Sequence, residues 1–69
     1  MTYREAEKEI KKLANGRGFF LEIEDYRQRN RDKIRIFKAT TFLAATAVIG
    51  EGNTWGQAIT NLKKDMGNI

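Results

Sequence analysis

The stretch from Gly50 to Leu62 constrains the fold more than any other part of the chain. Asn53 and Thr54 are both favourable N-cap residues, and with Thr54 as the cap, Gln57 falls at the third helical position and completes a capping box. Trp55, Ala58, Ile59, Leu62 and Met66 then recur at three- and four-residue steps, which places them on one helical face. A short strand over about 45–50 therefore feeds a helix over about 54–66 through a Gly-rich turn. Such a turn at a helix N-terminus can hold an anion, but a strand-to-helix turn needs glycine for its geometry in any case.

The rest of the chain supplies partners for that unit. Thr2 and Glu5 form a second capping box, and Tyr3, Ala6, Ile10 and Leu13 line one face of a helix over about 2–14 that Asn15 and Gly16 terminate. A strand over about 19–26 alternates Phe19, Leu21 and Ile23 on one side with Phe20, Glu22, Glu24 and Tyr26 on the other. Residues 27–32 read as a turn around Asn30. The chain returns as a strand over about 33–39 with Ile34 and Ile36 inward and Arg35 and Phe37 outward. Residues 40–44 contain neither Gly nor Pro, so they read as a connector anchored by Phe42 and Leu43; a helix from Phe42 to Val48 is the competing assignment. The expectation is a single α+β domain over 1–69, two-layered in the order α-β-β-β-α, with a three-stranded antiparallel sheet and both helices on one face. Phe20, Glu22, Glu24, Tyr26, Arg35 and Phe37 would then form the exposed face.

Composition narrows the chemistry. The 69 residues include no Cys and no His, which removes disulfides and the usual zinc ligands. Ser is absent too, so nucleophilic catalysis lacks its common groups. Glu22 and Glu24 point the same way along a strand, but ion pairing across the hairpin with Lys33 or Arg35 accounts for them without a metal. The expectation is a protein that is not an enzyme and holds no cofactor or metal. No apolar run approaches the ~20 residues of a membrane span, and the charged start is unlike a signal peptide, so the expected location is the cytoplasm of a host or infected cell.

Charge is concentrated. Within a chain of net charge +4, residues 27–38 carry six positive side chains against Asp32 alone, leaving the remainder slightly negative. Arg27, Arg29, Arg31, Lys33 and Arg35 occupy every second position, and Phe37 continues the period. On an extended hairpin this spacing makes a cationic ladder ending in an aromatic ring, suited to phosphates and a stacked base, with Phe20 and Tyr26 adding exposed aromatic surface. The implied partner is nucleic acid or a nucleoprotein. Self-association is expected as well, because three strands leave two sheet edges and Ala45, Ala47, Val48 and Ile49 carry no charge to discourage edge pairing.

Three resemblances extend this reading. Gly52, Asn53, Thr54, Gln57, Ala58 and Ile59 resemble the strand-to-helix signature of HicB-type antitoxins, which implies a toxin partner. The helix, three strands, helix order is similar to that of double-stranded-RNA-binding domains. A short domain that opens with a helix and three strands also resembles accessory proteins of phages and mobile elements, some anti-CRISPR inhibitors among them. That last likeness implies a second kind of function, inhibition of a host nuclease by direct contact.

Overall fold

A computed structural model describes residues 1–27 and 33–67, and of Arg27 and Lys33 the backbone alone. The elements run α1 (Tyr3–Ala14), β1 (Phe19–Arg27), β2 (Lys33–Leu43), β3 (Thr46–Gly52) and α2 (Trp55–Gly67). The strands form one antiparallel sheet in the order β1-β2-β3, so the architecture is the α+β arrangement the sequence predicts.

Both helices pack on one face of the sheet, and each begins where its capping residues dictate. The Thr2 hydroxyl accepts from the Glu5 amide at 3.2 Å while the Glu5 carboxylate accepts from the Thr2 amide at 3.3 Å. Asn15 then closes α1 in the left-handed region at φ 50°, followed by Gly16 at φ 86°. At α2 the Thr54 hydroxyl accepts from the Gln57 amide at 3.1 Å; the Gln57 side chain reaches past the cap to the Asn53 amide at 2.9 Å.

Small residues thin the core between the layers. Ala6 and Ile10 of α1, Ala39 and Val48 of the sheet, and Trp55, Ala58, Ile59 and Leu62 of α2 make up its buried cluster. Gly50 and Gly52 lie directly under α2. A Cβ at Gly50 would overlap the Ala58 carbonyl oxygen and the Leu62 amide, and one at Gly52 would come within 2.9 Å of the Ala58 amide nitrogen. The helix backbone thus rests on the strand backbone, an approach only glycine permits. Thr41 is the buried polar residue of this layer, and its hydroxyl donates to the Gly18 carbonyl at 3.0 Å.

Two expectations for β2 need correction. Residues 40–43 continue the strand instead of connecting it, and the chain reverses in a two-residue turn, Ala44-Ala45, between the paired Leu43 and Thr46. Ala44 itself takes the positive φ of 54° that glycine usually supplies, which is why no Gly or Pro marks the turn. The helix alternative over 42–48 is thereby excluded.

The faces of β2 are also the reverse of the predicted ones. Phe37, Ala39, Thr41 and Leu43 point to the helices, so Ile34 and Ile36 lie on the opposite side. Register follows the face that buries most along the whole strand. Phe37 decides it by setting its ring edge-on to Trp55 at 4.8 Å.

Two exchanges should move stability in opposite directions. Gly50→Ala forces α2 off β3 and should cost about 2–3 kcal/mol, whereas Ala44→Gly relieves a strained turn and should add about 1 kcal/mol. Urea unfolding of both variants checks this; a Gly50→Ala midpoint at the wild-type value would disprove the close approach.

Candidate functional site

The sheet has a second face, opposite the one that carries both helices. Strand alternation puts Phe20, Glu22, Glu24 and Tyr26 of β1 there, beside Ile34, Ile36, Lys38, Thr40 and Phe42 of β2 and Ala47, Ile49 and Glu51 of β3. Among the described residues nothing packs over it. Phe20 is 54% exposed, Tyr26 46% and Ile49 45%, while Ile34, Ile36 and Phe42 are half-buried among their neighbours.

Each part of this face has a distinct chemistry. Towards the start of β1, Phe20 and Phe42 meet edge-to-face with ring centroids 6.2 Å apart. At the centre Lys38 donates to Glu24 at 2.8 Å and lies 3.9 Å from Glu51, while the Tyr26 hydroxyl donates to the other Glu24 oxygen. Towards the hairpin end Ile34 and Ile36 lie opposite Tyr26 and Glu24. Among the described residues of this face Glu22, Glu24 and Glu51 outnumber Lys38, so it is apolar with an acidic excess.

The central network shifts its own protonation equilibria. The Lys38 ammonium, and then the Tyr26 hydroxyl, hold the Glu24 carboxyl below the usual carboxylate range. Glu24 in turn raises Tyr26 and Lys38 above their ordinary values, because each keeps its proton in a hydrogen bond donated to the carboxylate.

The predicted ladder falls only in part within the described residues. Arg29 and Arg31 lie outside the described residues. Register sets Arg27 opposite Lys33 and Asp25 opposite Arg35. The Arg35 guanidinium donates to Asp25 at 3.0 Å and shares the helix side of the sheet with Phe37. Neither belongs to the open face, and the Phe37 ring, closed against Trp55, is not a stacking platform. The expected cross-strand pairing is corrected for Glu24: Lys38 meets it, while Arg35 pairs with Asp25.

Phe20 and Tyr26 are on the open face as predicted. Ile34, Ile36, Lys38, Phe42 and Ile49 are the members that sequence reasoning missed. The signal for them was the run Phe37, Ala39, Thr41, Leu43, whose small inward residues fit under helices. At the α2 N-terminus, Gln57 and Thr54 occupy amides that an anion would need, and Gly50 and Gly52 serve helix packing. Among the described residues no group of His, Cys, Asp or Glu could hold a metal ion, and no helix is long and apolar enough to cross a membrane.

A carboxyl whose folded-state pKa is depressed contributes stability that is present above its unfolded value and lost as pH falls through the folded value. Glu24 therefore adds to the loss of Tm on acidification below about pH 4.5. In Lys38→Met the main cause of the depression is gone, so the Tm should fall less steeply over that range. An identical slope in the two proteins would show that the Lys38 to Glu24 bond contributes nothing in solution.

Compared with known proteins, the chain matches no family model, no curated protein and no solved structure.

Proposed function

We propose that the chain is a binding module that acts without catalysis, by docking the open face of its sheet onto another protein. The observation that carries this reading is the uncovered patch itself. Exposed Phe20, Tyr26 and Ile49 surround half-buried Ile34, Ile36 and Phe42, and the polar centre is already bonded internally. A patch of large apolar and aromatic side chains around a structured polar centre is the composition of a protein interface.

Charge describes the partner. Phosphates would be repelled by Glu22, Glu24 and Glu51, and a second copy of the same face would set those carboxylates against each other. The face fits an apolar surface rimmed by Lys or Arg. The nucleic-acid-handling surface of a nuclease has that character, which favours the inhibitor reading, of anti-CRISPR type, over nucleic-acid binding by the sheet.

A second reading, nucleic-acid or nucleoprotein binding, is favoured at the hairpin end by one observation. The register sets Arg27 opposite Lys33 on either side of the segment that holds Arg29 and Arg31.

Two double variants separate the readings. Phe20→Asp with Ile36→Asp should abolish capture of the protein partner from nuclease-treated host lysate, with affinity lowered more than about tenfold, as loss of large apolar anchors typically does. Arg29→Glu with Arg31→Glu should leave that capture in place. The docking reading fails if the first pair retains the partner. It also fails if the wild type shifts RNA or DNA with a steep salt dependence that the second pair abolishes, which would assign function to the hairpin.

A further inference from the structure

We propose that two copies of the chain pair antiparallel through the free edge of β3. The sheet has two edges, β1 and β3, and they differ in chemistry. Along β1, Glu22, Glu24 and Asp25 follow within four residues, so antiparallel pairing of this edge with itself would bring carboxylates together. Along β3, Thr46, Ala47, Val48, Ile49 and Gly50 carry no charge, and Ile49 is exposed. An uncharged, regular edge strand is a template for another strand.

Backbone orientation gives the register. The Asn61 side chain on α2 donates to the Glu51 carbonyl at 2.5 Å, and β2 lies on the other side of β3, so this carbonyl faces the free edge. Backbone groups of an antiparallel strand alternate in direction with period two, which turns the amides and carbonyls of Ala47 and Ile49 to the same edge. Pairing centred on Val48 then sets Ala47 of each copy opposite Ile49 of the other, with about four backbone hydrogen bonds between chains. Glu51 falls opposite the small Ala45, so no like charges meet. Its carbonyl is already taken by Asn61, and the pairing ends there.

This pairing uses the strand edge and leaves the open face uncovered, so it stands whether or not that face docks a protein. The result would be one continuous sheet of twice the width.

Sedimentation equilibrium at tens of micromolar should give the mass of two chains for the wild type and of one chain for Ile49→Lys, with the circular dichroism of the variant unchanged. Because the chain has no cysteine, a second measurement is independent of that variant's folding. Ala47→Cys and Ile49→Cys chains, mixed in equal amounts, should cross-link to each other faster than either does to itself. A wild-type mass of one chain overturns the proposal. So does a dimer that persists in folded Ile49→Lys, or cross-linking without preference for the mixed pair.

Discussion

The contact on which the rest of this structure depends is backbone against backbone, where α2 crosses β3. Gly50 and Gly52 remove the two side chains that would hold the helix away, so Ala58 and Leu62 come down onto the strand itself. The consequence is a thin core. Its largest fully buried side chains are Ile10, Ile59, Leu62 and Thr41, and small Ala6, Ala39 and Ala58 fill the space between layers. Each buried aliphatic side chain contributes roughly 1.5–3 kcal/mol. A domain of this size has few of them, which makes close approach more valuable here than bulk.

The same geometry explains why one sheet face is open. Two helices suffice to cover a three-stranded sheet on one side only, and the described residues include no further element for the other. The alternation of β2 then sorts its residues unequally. Small Ala39 and Thr41 go under the helices, and Ile36, Lys38 and Phe42 go to the uncovered side. The branched and aromatic residues displaced from the thin core become the surface available to a partner. Lys38 sits among them with its charge held by Glu24 and Glu51, which keeps the centre of the patch polar but ordered.

Local signals were legible in the sequence wherever the chemistry is local. The Thr2 and Thr54 caps, the stop at Asn15 and the apolar faces of both helices depend on residues within one or two turns, and they were read correctly. The facing of β2 was not. Ile34, Ile36 and Phe37 support either frame over a short window, and the choice is made by Trp55, which is distant in sequence. The Ala44 turn was missed for a different reason: its conformation is imposed by the register of Leu43 with Thr46 and not by the preference of alanine. At the candidate site Phe20 and Tyr26 were found because β1 alternates plainly, whereas Ile49 and Phe42 required the pairing of three strands.

Trp55 is the one tryptophan of the chain, and its surroundings give it a use beyond packing. Its indole is met edge-on by Phe37 from β2 and by Tyr3 from α1, with centroids 4.8 and 5.6 Å away. Three elements remote in sequence therefore converge on a single fluorophore. Its emission reports the joint docking of the first helix, the central strand and the second helix, so the protein carries an intrinsic optical probe of core closure that needs no label.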